Sequence, residues 1–252
     1  MRYFIEIAYN GKNYNGWQAQ PNEPTVQETL THAVSTILAE EIKLVGAGRT
    51  DTGVHALQLF AHFDIGKQLD LDWLVKRLNA FLPEDIVVKS VFLVGDEHHA
   101  RFDALSRSYE YRILLGRDPF LTDTTWQIHH REPDLDAMNK AAALLPVYTD
   151  FKCFSKSNTD VKTYNCKIVK AQWILNGNRL TFYITADRFL RNMVRAIVGT
   201  LIDVGLHKTS IEDFMRIIES RNRSEAGLSV PPQGLFLSSI VYPEEIIKNY
   251  HE

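Results

Sequence analysis

Apolar and polar residues alternate along the chain with two different periods, and the points where the period changes predict its elements. Residues 2–9 set Tyr3, Ile5, Ile7 and Tyr9 against Phe4, Glu6 and Ala8, a strand with one richer face. A loop with Gly11, Gly16 and Pro21 follows. Thr25-Val26-Gln27-Glu28 is a capping box, after which Val26, Leu30, Ala33, Val34, Ile37 and Leu38 fall on one helical face. Glu41 to Val45 reads as a strand entering a glycine-rich loop, and an alternating strand leaves it through Leu57, Leu59, Ala61, Phe63 and Ile65. A second helix is predicted from about Asp70, with Leu71, Leu74, Val75, Leu78, Phe81 and Leu82 inward, and Pro83 stops it. Ile86 to Val94 closes this half as a strand. The order β-α-β-β-α-β is that of a ferredoxin-like split unit.

The second half reads as a distorted copy. Tyr109, Tyr111, Ile113 and Leu115 alternate, and residues 124–130 predict another strand. Asp134 caps a helix with Leu135, Met138, Ala142 and Leu145 inward. Strands near 163–175 and 178–185 flank Asn176-Gly177, a hairpin signal. A long helix is expected from about Arg188 to Val204, ended by Gly205. Ser210 starts a shorter helix, and Leu235 to Tyr242 forms the last strand. The expected class is α+β, with two ferredoxin-like (RRM-like) halves at residues 1–104 and 105–252.

Composition adds limits rather than direction. At 252 residues, 45% hydrophobic and 23% charged, the chain has an ordinary globular make-up with room for a buried core. A net charge of −3 restricts any polyanion site to a local basic patch. Cys153 and Cys166 lack zinc-site spacing, which fits a reduced, cytoplasmic protein. Met1-Arg2 leads straight into a strand, so neither a signal segment nor a membrane span is expected.

The candidate chemistry centres on Gly46-Ala47-Gly48-Arg49-Thr50-Asp51-Thr52-Gly53-Val54-His55-Ala56. Its three glycines predict a tight loop using positive φ, with Arg49 and Asp51 held on a short connection between strands. It lacks the Lys-Ser/Thr of a Walker loop, and the strand-like exit excludes a dinucleotide fingerprint. Arg188, Arg191 and Arg195 share one face of the expected long helix, with no acid from Arg188 through Ile202. The helix dipole disfavours cations at that end, so a phosphate backbone is their natural partner. A neighbouring guanidinium would keep Asp51 ionised and usable as a nucleophile or base. A glycosidase would want a second acid, and only Asp64, at the far end of the exit strand, is near in sequence. A lone Asp with arginines fits a glycosidic bond broken and remade without water.

Other candidates read as structural. Tyr109 shares a strand face with Tyr111 and Ile113 and reads as a core tyrosine. Trp17 is either a packed loop anchor or a stacking platform for RNA. His98-His99 and His129-His130 have no partner at ligand spacing, so no metal site is expected. Cys153, between aromatic neighbours, reads as a small buried apolar residue.

The loop at residues 46–56 resembles the signature of the tRNA pseudouridine synthase A (TruA-type) family. The resemblance extends through Tyr9-Asn10-Gly11, Gly16-Trp17-Gln18 and Thr25-Val26-Gln27, then His99-Ala100-Arg101-Phe102 and Arg107-Ser108-Tyr109-Glu110-Tyr111. It continues in residues 189–195 and in Pro231-Pro232-Gln233-Gly234-Leu235. It implies a pseudouridine synthase fold with an extended, mainly antiparallel sheet and a central cleft. The implied activity is isomerisation of uridine to pseudouridine at positions 38–40 of the tRNA anticodon stem-loop, by a homodimer with no cofactor and no metal. The resemblance makes Asp51 the catalytic aspartate, and Tyr109 a residue packed on the target base rather than in the core. It pairs Arg195 with Asp51, gives Arg49 a part in extruding the nucleotide, and puts Leu235 beneath the uracil; Arg191 remains an RNA contact. Asn10 and Val230 depart from the family's usual Asp and Ala. A non-catalytic RNA-binding protein of the same fold would be expected to have lost Asp51 or Tyr109, and a hydrolytic nucleosidase would need a metal cluster or second acid.

Overall fold

The computed structural model describes residues 1–157 and 161–248. The chain forms two compact units, one of Met1–Ser106 together with the chain from Leu237 onward, the other of Arg107–Phe236.

In the first unit β1 (Arg2–Tyr9) runs antiparallel to both β3 (His55–Asp64) and β4 (Ile86–Val94). The segment predicted as a strand over 41–45 contributes only β2 (Val45–Gly46), which pairs with Ala61 and His62 of β3. Helices α1 (Val26–Leu38) and α2 (Leu71–Phe81) start where their caps predict. The Thr25 side chain accepts from Glu28 N at 3.4 Å, and Asp70 accepts from Trp73 N at 3.0 Å. Phe81, expected inward, is exposed at the end of α2.

Strand β1 differs from its predicted one-sided pattern, because Tyr3, Phe4, Ile5, Glu6 and Ile7 are all buried. The second face is covered by an aromatic cluster of Phe4, Phe60, Phe92 and Tyr242. Tyr242 comes from the end of the chain, and its hydroxyl donates to the Ala100 carbonyl. The buried Glu6 carboxylate is satisfied by Gln58 Nε2 at 2.9 Å and Ser90 Oγ at 3.4 Å.

In the second unit β8 (Arg179–Ala186) lies antiparallel between β5 (Ser106–Leu115) and β7 (Ile168–Asn176). The short β6 (Trp126–Ile128) runs parallel to β5. The β7–β8 turn has Gly177 and Asn178 between the paired Asn176 and Arg179, one residue on from the predicted position, with Gly177 at φ 59°. Helices α3 (Leu135–Ala142), α4 (Met193–Gly205) and α5 (Ile211–Ser220) complete the unit. Gly205 is the last residue of α4 rather than a residue beyond it, and a Cβ there would overlap Met138 of α3. The two units together make an α+β protein whose strands pair mainly antiparallel.

The expected long helix, like the strands predicted over 41–45 and 163–175, starts later than expected. Helix α4 begins at Met193, so Arg188 and Arg191 precede it and only Arg195 stands on it. Asn192, the N-cap residue, sits at φ 66°, which breaks any continuous helix from Arg188. Upstream, Asp187 Oδ1 accepts the backbone N–H of both Lys167 and Arg188 at 2.7 Å, holding the chain as an irregular segment. The three arginines therefore do not share a helical face, and the dipole argument applies to Arg195 alone.

Candidate active site

In the first unit the site is the connection between β2 and β3. Ala47 N donates to Phe60 O at 2.7 Å, and Val54 N donates to Asp51 O at 3.1 Å, closing a turn that begins at Asp51. Gly53 in that turn has φ 75°, and it is the one loop glycine that uses the left-handed region. Gly46 is needed for a different reason, since a Cβ there would overlap the Trp17 indole. Gly48 has open space around it. Asp51 is half-buried and Arg49 is exposed.

The loop rests on the segment that follows β1. Tyr9 and Thr50 hydroxyls lie 2.8 Å apart and buried. Gly11 N donates to His55 Nδ1 at 3.0 Å, a geometry that needs that nitrogen unprotonated. Gly53 N donates to Tyr14 O at 3.2 Å, and Trp17 N to Thr50 O at 3.3 Å. A Cβ on Gly11 would overlap the Val54 carbonyl, and one on Gly16 (φ +85°) the Thr50 carbonyl. Two backbone segments thus touch directly, which fixes the residues on either side of Asp51.

Asp85 anchors this supporting segment in turn. It accepts from the Tyr14 hydroxyl at 2.6 Å and Asn13 Nδ2 at 3.0 Å. Burial, reinforced by the bond to Asp85, raises the Tyr14 pKa, so the phenol stays a donor. Trp17 is fully buried and is the loop anchor of the two roles its sequence allowed. No pattern in the sequence marks the bond of Tyr9 to Thr50, the anchoring by Asp85 or the acceptor role of His55.

In the second unit Tyr109 lies on β5 opposite Ile184, half-buried, with its ring edge-on to Phe189 at 5.1 Å. Its face-mate Tyr111 is fully buried, so the core role read from the alternation belongs to Tyr111 and not to Tyr109. Tyr111 donates its hydroxyl to Pro231 O at 2.8 Å, and burial raises its pKa. Pro231 leads into the turn Pro232–Gly234, and Leu235 follows, buried at the start of β9 (Leu235–Val241). Arg191 is exposed, and its carbonyl accepts Lys156 N at 3.0 Å. Arg195 is half-buried in the first turn of α4, with Nε donating to Val230 O at 2.7 Å.

The two cysteines are both buried, and burial pushes each thiol up to about 12. Among the described residues no group of three or more His, Cys, Asp and Glu is placed to hold a metal ion. Likewise, no described helix is long and apolar enough to cross a membrane.

The loop with Arg49 and Asp51 lies in the first unit, and Tyr109, Arg191, Arg195 and Leu235 lie in the second. The family model described as tRNA pseudouridine synthase matches residues 6–103 and 145–243. Tyr109 falls between the two matched segments; Arg49, Asp51, Arg191, Arg195 and Leu235 fall within them. The chain is 51% identical over 249 residues to tRNA pseudouridine synthase A of Porphyromonas gingivalis, covering 97% of this chain and 98% of the relative. It is 49% identical to the proteins of that name from Parabacteroides distasonis (97% of each chain) and Bacteroides fragilis (98% of each). The chain belongs to the tRNA pseudouridine synthase family. It is an isomerase that converts uridine in tRNA to pseudouridine.

Proposed function

We propose that the chain acts on uridines 38–40 of the tRNA anticodon stem-loop and that Asp51 is its catalytic group. The observation that carries this reading is the buttressed loop, in which Thr50 and Val54 are bonded on either side of a half-buried Asp51. The reaction breaks the bond from ribose C1′ to uracil N1, turns the base, and joins C1′ to C5. The proton on C5 is lost and N1 gains one, so product and substrate are isomers and no water or co-reactant is consumed. Asp51 needs the base out of its stack, at a cost of a few kcal/mol that contacts to the nucleic acid offset.

The other roles are those that the family resemblance assigns. Tyr109 packs on the extruded base, Leu235 supports it from below, and Arg49 takes its place in the stem-loop. Arg195 serves the charge of Asp51. Arg191 contacts the backbone, which makes binding salt-sensitive. Residues 1–104 and 105–252 are each read as a ferredoxin-like half, and the enzyme as a cytoplasmic homodimer. Chemical mapping of pseudouridine in tRNA from a strain lacking this activity, before and after treatment with the enzyme, tests the assignment. New pseudouridine confined to positions 38–40 supports it, and modification elsewhere alone contradicts it.

A further inference from the structure

The loop after α5 is fastened to α4 and its N-cap by a set of hydrogen bonds. Arg223 Nη1 donates to Ala226 O at 3.3 Å and Gly227 O at 3.1 Å, while Nη2 donates to Ser229 Oγ at 2.9 Å. The same Ser229 oxygen accepts from Asn192 Nδ2 at 2.6 Å, and Asn192 is the α4 N-cap residue at φ 66°. Gly227 N donates to Thr200 Oγ1 at 2.9 Å. A Cβ on Gly199 would overlap the Leu228 carbonyl, so the loop backbone lies directly on the helix.

The residue after Ser229 is Val230, and it meets Arg195 twice. Val230 O accepts Arg195 Nε at 2.7 Å, and Val230 N donates to Arg195 O at 3.3 Å. Bonding at Nε fixes the plane of a guanidinium and therefore the direction of its two terminal nitrogens. The direction of Arg195 depends on where Val230 stands, and Val230 is placed by the bonds at Arg223, Ser229 and Asn192.

We propose that Arg223 is a positioning residue, which through Ser229 and Val230 holds the Arg195 guanidinium in the orientation the isomerisation uses. Arg suits the post because three acceptors around one planar group match its fork, whereas an ammonium is a single point donor. The functional half of this inference rests on Arg195 serving Asp51; the clasp itself does not.

The test pairs kinetics with the Arg195 Nε–Hε signal in a ¹H–¹⁵N spectrum of the full chain, assigned by its loss in Arg195→Lys. In Arg223→Met the Hε signal is expected to shift and exchange rapidly with solvent. The kcat on tRNA should fall about ten- to a hundredfold, as misplacement of a catalytic group does. KM should stay within about threefold, because ground-state binding is untouched. Arg223→Lys should recover part of kcat, and Arg223→Met added to Arg195→Lys should lower kcat no further. An unchanged Hε signal, or a loss that multiplies with that of Arg195→Lys, overturns the proposal. If Arg195→Lys keeps full kcat while the Hε signal still moves in Arg223→Met, the clasp stands and the role of Arg195 in the reaction is what fails. Should Arg223→Met not fold, Ser229→Ala removes the shared acceptor, and the same two readouts decide.

Discussion

The hydroxyl groups of Tyr9 and Thr50 lie 2.8 Å apart and buried, joining the end of the first strand to the neighbour of Asp51. Removing one partner leaves the other without its buried bond, which costs about 1–2 kcal/mol. Tyr9→Phe is therefore expected to lower Tm by roughly 2–8 °C for a chain of this size. Because the bond abuts Asp51, kcat should fall more than tRNA affinity. Calorimetry and steady-state kinetics on the one variant check both.

The loop glycines predict a matched pair. Gly46→Ala drives a methyl into the buried Trp17 indole and should destabilise by about 1–3 kcal/mol, as overpacking does. Gly48→Ala meets no atom within 4 Å and should leave stability within about 0.5 kcal/mol. Denaturant melts of the two variants separate steric need from mere loop composition.

Acid should weaken the first unit through His62. Burial, then the charges of Arg2 and His99, lowers its pKa from 6.5 to about 4. Between those values the unfolded chain binds a proton that the folded chain declines, so stability falls as pH falls, by about 3 kcal/mol in all. His99, also lowered chiefly by burial, acts with the same sign. Asp64, held low by its bond from Arg2, adds stability that is lost at still lower pH. His62 Nδ1 accepts Ala100 N at 3.2 Å, and Asn offers an oxygen in its place, so His62→Asn should flatten the curve between about pH 6.5 and 4. Unfolding free energies across that range test the sign and the residue together.

Much of this was legible in the sequence. The period and caps of α1 and α2 marked their starts because a capping side chain and an apolar stripe are local signals. The loop carrying Arg49 and Asp51 stood out by its glycines, although only Gly53 uses positive φ and Gly46 is there for Trp17. The start of α4 is hidden in the sequence because Phe189, Leu190, Met193 and Val194 keep a helical apolar spacing across the break at Asn192. The same spacing makes Arg188 and Arg191 look helical although both precede α4. The bonds that hold the site rigid, Tyr9 to Thr50, Gly11 to His55 and Arg223 to Ser229, join residues whose partners no local pattern names. Tyr109 looked like core because alternation reports a shared face, not how deeply each residue on it is covered.

Both thiols should be inert in the folded protein. Cys153 and Cys166 are buried with pKa pushed up to about 12, so almost no thiolate is present at neutral pH. A thiol-specific chromogenic reagent should label neither residue until denaturant is added, and then both.

The most direct test of the account is tritium release from tRNA carrying uridine tritiated at carbon 5, since forming the new bond expels that hydrogen. Wild-type protein should release it, and Asp51→Ala should not, while still binding tRNA within a few-fold of the wild type. Release that persists in Asp51→Ala would contradict the central claim.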